Sequence, residues 1–214
     1  MALCLNEIFY SIQGESTYAG RPCVFVRLAG CNLRCSFCDT KYAYDNAVKI
    51  KIEKIIEQVS CYACSLVEIT GGEPLLQKDT PLLIFSLLEN GHQVLMETNG
   101  SFDISLVDRR CIKIVDIKCP VSGQSDQMDL DNLQRLGNHD QLKFVISDRK
   151  DYAYAKNIIK LLNQDFPPGN ILFSPVFGTI PPLKLAGWIL ADNLNVRLQL
   201  QLHKFIWPDR LKGV

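Results

Sequence analysis

The chain alternates short β-branched apolar runs with stretches of helical periodicity, and this alternation limits its fold more than any other feature. Runs at Val24–Leu28, Leu66–Thr70, Val94–Glu97, Ile112–Ile117, Leu142–Ile146, Ile171–Phe173 and Val196–Leu200 read as strands. Between them, Ile52–Val59 repeats apolar residues at helical spacing. Thr80 and Pro81 supply an N-cap and a first-turn proline ahead of Leu82–Glu89, with Gly91 as the stop. Asp148 caps a helix over Tyr152–Leu162, and Leu183–Ala191 forms a later one. Strand, helix, strand repetition predicts an α/β fold of parallel units. With 214 residues, no internal repeat and no low-complexity linker, one domain over residues 1–214 is expected.

Polar residues gather where the strands end. Gly30 and Cys31 follow the first run, Thr70 to Pro74 the second, Glu97 to Gly100 the third and Asp116 to Lys118 the fourth; Ser174-Pro175 and Gln201 to His203 follow later ones. In β/α barrels and open sheets, ligands bind at the carboxyl ends of the strands. One composite site is therefore expected there.

Charge narrows the partners. The 23 Lys and Arg balance 23 Asp and Glu, so no global field favours a polyphosphate backbone or an anionic bilayer. Neither nucleic acid nor membrane is an expected partner. Met1–Glu7 lacks the features of a secretory leader, and no apolar run reaches the roughly 20 residues that span a bilayer. A cytoplasmic location is expected.

Nine cysteines, an odd number without an export signal, argue for reduced thiols rather than a disulfide framework. Cys31, Cys35 and Cys38 crowd into eight residues. Soft thiolates at that spacing suit zinc or an iron–sulfur cluster. No fourth ligand lies nearby in sequence, although Cys64, Cys119 or His203 would supply one if the fold brought it close. Three ligands leave a position open, as a reactive cluster requires. Cys61 and Cys64, at the end of a helical pattern, read as packing residues rather than a second metal site, and Cys4, Cys23, Cys111 and Cys119 as structural. His92 and His139 read as solvated loop residues, and Phe205 with Trp207 as core or an interface patch.

The Cys-x3-Cys-x2-Cys spacing, with Phe37 just before the third cysteine, resembles the signature of radical S-adenosylmethionine enzymes. Gly71-Gly72-Glu73-Pro74 resembles the segment that receives the cofactor's methionine amino group. A wider likeness runs through Ser11–Glu15, Phe25–Leu33, Cys38-Asp39-Thr40, Glu97–Gly100 and His203-Lys204 to Gly213-Val214. Together these segments are similar to the 7-carboxy-7-deazaguanine synthase family. That resemblance implies a partial, open β/α barrel of the radical S-adenosylmethionine type. It also implies a lyase that turns 6-carboxy-5,6,7,8-tetrahydropterin into 7-carboxy-7-deazaguanine and ammonia, on the way to queuosine and related 7-deazapurines.

The resemblance further implies a 4Fe-4S cluster on Cys31, Cys35 and Cys38 and Mg2+ at Thr40. It implies S-adenosylmethionine against Phe37, Cys38, Asp39, Gly72, Glu97, Asn99, Asp116, Ile117, Lys118, Ser174 and Pro175. The family often carries Ser-Pro-Lys where this chain has Asp116-Ile117-Lys118, so only Lys118 matches there. The pterin would meet Ile12, Gln13, Gly14, Glu15, Arg27, Thr70 and His203, and Val214 through a terminal carboxylate. A flavodoxin- or ferredoxin-type electron donor and a homodimer complete the expectation. Two readings from other classes stand beside it: an activase acting on a protein partner, and a non-catalytic zinc module. Brown protein would exclude the second.

Overall fold

The computed structural model describes all 214 residues, Met1–Val214. The N-terminal strand β1 (Ala2–Ile12) pairs antiparallel with β2 (Pro22–Leu28) on one side and with β3 (Val48–Lys51) on the other. From β2 every further pairing is parallel, through β4 (Leu66–Gly71), β5 (Gln93–Thr98), β6 (Ile112–Asp116), β7 (Gln141–Ile146), β8 (Ile171–Pro175) and β9 (Arg197–Leu198). The sheet runs β3-β1-β2-β4-β5-β6-β7-β8-β9 and does not close, since β3 and β9 remain edges. This is the α/β, open-barrel arrangement that the alternation predicts.

Crossovers carry α1 (Ile52–Ser60), α2 (Thr80–Glu89), α3 (Asn132–Arg135), α4 (Arg149–Ile158) and α5 (Pro182–Ala191), and a short α6 (Leu202–Ile206) follows β9. None of these helices is long and apolar enough to cross a membrane. Alternation along the strands divides the sheet into two unlike faces. One turns Val24, Val26, Val67, Ile69, Val94, Met96, Phe144 and Phe173 into a 36-residue core that includes Ile55 and Val59 of α1 and Leu83, Ile84 and Leu87 of α2. The opposite face is apolar only at the strand starts, where Phe9, Cys23, Phe25, Leu66, Leu95, Ile112 and Ile114 form a seven-residue plug. Toward the strand ends the same rows become Arg27, Glu68, Thr70, Glu97, Asp116 and Lys143. The plug supports a polar floor.

Several boundaries differ from the sequence reading. β1 and β3 escape it because Asn6 and Glu7 interrupt the apolar alternation of β1, where the register also shifts, and β3 is a four-residue polar edge. β9 shrinks from the expected Val196–Leu200 to Arg197–Leu198. The helix expected over Tyr152–Leu162 starts at Arg149, because Asp148 Oδ1 accepts from the backbone N–H groups of Lys150 and Asp151, and it ends in a tight turn over Ile159–Leu161. Thr80 is not an N-cap but the first residue of α2, its hydroxyl donating to the Pro74 carbonyl at 2.6 Å. Gly91 does terminate α2: at φ +83° it gives its N–H to Leu88 while His92 gives its own to Leu87, which is a Schellman closure.

Candidate active site

A cavity of about 460 Å3 opens at the carboxyl ends of the parallel strands. The loop after β2 brings Cys31, Cys35 and Cys38 to its rim, all three unpaired and half-buried. Ser36 anchors this loop, its N–H donating to the Ser122 carbonyl at 3.1 Å and its hydroxyl to that of Val121 at 2.8 Å. Burial pushes the Cys31 and Cys35 thiols up, and burial with a hydrogen bond to Cys38 does the same to the Tyr44 phenol. No three His, Cys, Asp or Glu side chains stand close enough to share a single metal ion. A cubane needs a wider span between its sulfurs than a tetrahedral zinc ion does, and its thiolates carry the iron.

Beside this loop the chain leaves room by omitting side chains. A Cβ on Gly72 would strike the Gly30 carbonyl and lie 2.6 Å from Cys31 Cβ, and Gly71, at φ +151°, would strike the Leu28 carbonyl. Only glycine admits this approach of β4 to the cysteine loop. The adjoining Glu73 is a brace: fully buried, it accepts from Leu75 N (2.9 Å), Thr98 Oγ1 (2.8 Å) and Asn99 N (2.6 Å), tying the end of β4 to that of β5. Asn99 turns its amide to Asn32 Oδ1 at 3.0 Å and toward Cys31 Sγ at 3.8 Å.

The floor is a charged layer. Lys143 donates to Glu15 and to Glu97, and Glu15 accepts also from Gln199 and Gln201. Burial works against the Lys143 charge, yet the two carboxylates hold its pKa well above the ordinary lysine value. Burial raises Glu97, whereas in Glu15 the Lys143 charge overcomes burial and lowers it. Lys118 and Asp116 pair at 2.7 Å, leaving Asp116 Oδ1 buried without a partner and aimed into this layer.

Three further elements complete the walls. Arg27 is held through Nε by Glu7 at 2.8 Å, and Tyr42 donates to the same carboxylate oxygen at 2.9 Å, so the guanidinium reaches the cavity already oriented. Gly14 lies so close to His203 that a Cβ would strike its ring and come within 2.9 Å of its backbone nitrogen. Thr40 donates to Asp39 Oδ1 at 2.9 Å; burial would raise Asp39, but the Lys204 ammonium on Oδ2 holds it at about 2.

Nineteen of the 22 residues named from sequence line this one cavity: Ile12, Gln13, Gly14, Glu15, Arg27, Cys31, Cys35, Phe37, Cys38, Asp39, Thr40, Thr70, Gly72, Glu97, Asn99, Asp116, Lys118, His203 and Val214. Ile117, Ser174 and Pro175 do not. Ile117 follows Asp116 on the strand and so turns its side chain into the helix-covered core, Ser174 is enclosed beneath the wall, and Pro175 lines a neighbouring hollow with Phe177 and Phe205. Glu97 faces Lys143 across the floor rather than standing free. The sequence reading missed Glu68 and Lys143; each is a charged residue at an inward position of an otherwise apolar strand, and that oddity was the available signal. Cys4 and Cys61, taken as structural or packing residues, are exposed.

Comparison with known proteins agrees with this geometry. The Radical SAM superfamily model matches residues 26–122, which span the cysteine loop, the glycine pair and the ends of β5 and β6. The 7-carboxy-7-deazaguanine synthase of Koribacter versatilis is 43% identical over 224 aligned positions, covering 98% of this chain and 99% of that protein. The synthase of Chlorobaculum tepidum is also 43% identical, covering 99% of this chain and 97% of its own. The crystal structure of QueE from Escherichia coli shares the fold, with a TM-score of 0.80 at 24% identity over 94% of both chains. The three-thiol loop, the glycine cradle and likeness over the whole length agree, and the chain belongs to the 7-carboxy-7-deazaguanine synthase family of radical S-adenosylmethionine enzymes.

Proposed function

We propose that the chain is one catalytic domain that converts 6-carboxy-5,6,7,8-tetrahydropterin to 7-carboxy-7-deazaguanine and ammonia in the cavity described above. The observation that carries this is the joining, in one cavity, of the three-thiol loop with the oriented Arg27 and the charged floor. Cys31, Cys35 and Cys38 hold the cluster, and S-adenosylmethionine lies along Phe37, Asp39, the glycine cradle, Asn99 and Lys118. When bound, the cluster and S-adenosylmethionine supply the radical that takes a hydrogen from the substrate. The protein supplies orientation and the exclusion of water.

Arg27 offers the carboxylate of the pterin a bidentate fork, its Nε already engaged by Glu7. Gln13, Glu15, Thr70 and His203, with Val214 and the backbone of Ile12 and Gly14, surround the ring edges. Ile117, Ser174 and Pro175 stay outside this contact set. Electrons come from a flavodoxin- or ferredoxin-type donor, and the working form is a cytoplasmic homodimer. Anaerobic reconstitution with iron and sulfide, then mass spectrometry of the carboxypterin reaction, tests the reading. The expected result is a product 17 mass units lighter than the substrate, about the mass of the ammonia lost; no consumption of the pterin overturns it.

Magnesium belongs at Thr40. Its hydroxyl and the neighbouring Asp39 are hard oxygen donors on the cavity rim, suited to an ion that takes few protein ligands and completes its shell with water and substrate. Thr40→Val is expected to weaken magnesium stimulation at least ~10-fold while leaving the iron–sulfur absorbance intact. Equal magnesium responses in variant and wild type would remove Thr40 from the site.

A further inference from the structure

The charged floor contains one carboxyl group to which no cation is bonded. Glu68 projects from the middle of β4 into the cavity with 3% of its surface exposed. Its hydrogen bond is with Gln13, whose Nε2 donates to Oε2. The charges that face it are the carboxylates of Glu97 on β5 and Glu15 after β1, the Lys143 ammonium on β7 and the Arg27 guanidinium on β2, with the Cys23 thiol also near on β2. Both cations are engaged elsewhere: Lys143 bonds to Glu15 and Glu97, and Arg27 to Glu7. A second negative charge beside that group would have no counterion. Burial, then Glu97 and Glu15, accordingly hold the Glu68 carboxyl well above the usual carboxylate range.

We propose that Glu68 is the general acid of this reaction, delivering its carboxyl proton to the nitrogen that leaves as ammonia. The inference rests on the reading of this cavity as the pterin site. An amino group is a poor leaving group until it is protonated, and a carboxylic acid buried on the cavity floor answers that need. In the step, the carbon–nitrogen bond breaks and its electron pair stays with nitrogen, which takes the Glu68 proton. The adjacent carbon gives up a proton as the ring double bond forms, and that proton restores the Glu68 acid. No oxidant or reductant enters. Gln13 positions the acid, and Lys143, bonded to Glu15 and Glu97, leaves Glu68 without a cation of its own.

Glu68→Gln tests the assignment, because the amide keeps the volume and an acceptor for Gln13 but has no transferable proton. Reconstituted wild type, Glu68→Gln and Glu68→Asp are compared by melting temperature, steady-state kinetics and mass spectrometry of quenched reactions. The expected outcome for Glu68→Gln is a fall in kcat of about 100-fold or more with KM within about twofold. An isomer of the substrate that retains all its nitrogen should accumulate in that variant alone. Glu68→Asp should restore part of kcat and shift the alkaline limb of the pH profile, a limb that Glu68→Gln lacks. Turnover of Glu68→Gln within fivefold of wild type, or lost turnover without the isomer, overturns the role of Glu68. Failure of the wild type on the carboxypterin overturns instead the functional reading beneath it.

Discussion

Cys35→Ala is expected to remove the iron–sulfur chromophore and all turnover together, while leaving the melting temperature of the metal-free protein nearly unchanged. Cys35 sits at the centre of the three-thiol loop on the cavity rim, and Cys31 and Cys38 are the only other cysteines that line the cavity. A cubane that has lost one of three protein thiolates has two anchors left and exposes a second iron to water. The fold does not depend on the thiol. Cys35 is half-buried, and the loop is held by Ser36 against the turn at Val121 and Ser122. A substitution at such a place stays within about 0.5 kcal/mol of wild type. Cys61→Ser and Cys64→Ala are the controls. Cys61 Sγ lies 3.3 Å from the Glu57 carbonyl and Cys64 Sγ 3.4 Å from those of Pro22 and Leu66, so each thiol spends its weak donor on backbone away from the cavity. Iron content, absorbance and EPR of anaerobically prepared protein decide the matter. Full iron content in Cys35→Ala would refute the cluster assignment.

The cysteine loop was legible in the sequence because its chemistry is local. Three thiols within eight residues can reach one centre whatever surrounds them, and Gly71-Gly72 announces a close backbone approach by what it omits. The parallel strands were legible for a similar reason, since each turns a row of apolar, mostly β-branched residues under the helices. β1 was not, because one face of it is half exposed and its register shifts between Leu5 and Glu7, which breaks the period of two. The floor was harder still. Glu68, Glu97 and Lys143 lie on three strands and Glu15 on a loop, and their partnership exists only once β4, β5 and β7 are set in order. Ile117 shows the converse: the resemblance groups it with Asp116, but residues next to each other in extended chain face opposite ways, and its side chain lies in the core while that of Asp116 lines the cavity.

That floor carries the second large effect, expected for Lys143→Met. The methionine matches the stem of lysine in length and fills its space, so packing is largely kept, but Glu15 and Glu97 lose their shared cation. Removing one member of a buried charge group leaves the others uncompensated, at a cost of about 3–5 kcal/mol. For a chain of this length that corresponds to a melting temperature lower by roughly 10 °C. The sign of the pH dependence distinguishes this cause from poor packing. Without Lys143, both carboxylates must be protonated in the folded state, so their folded pKa values rise above the unfolded ones. A group shifted in that direction is best tolerated below its unfolded pKa and destabilises as the pH climbs past it. The deficit of Lys143→Met against wild type should therefore be largest at pH 8 and shrink as the pH falls toward 5. Adding Glu97→Gln should recover part of the loss at pH 8 by removing one of the stranded charges, and almost none at pH 5, where that carboxylate is already neutral. Melting curves of the wild type, the single and the double variant at the two pH values measure this directly. A deficit independent of pH would mean that Lys143 matters for its shape, and that the floor is not an electrostatic unit.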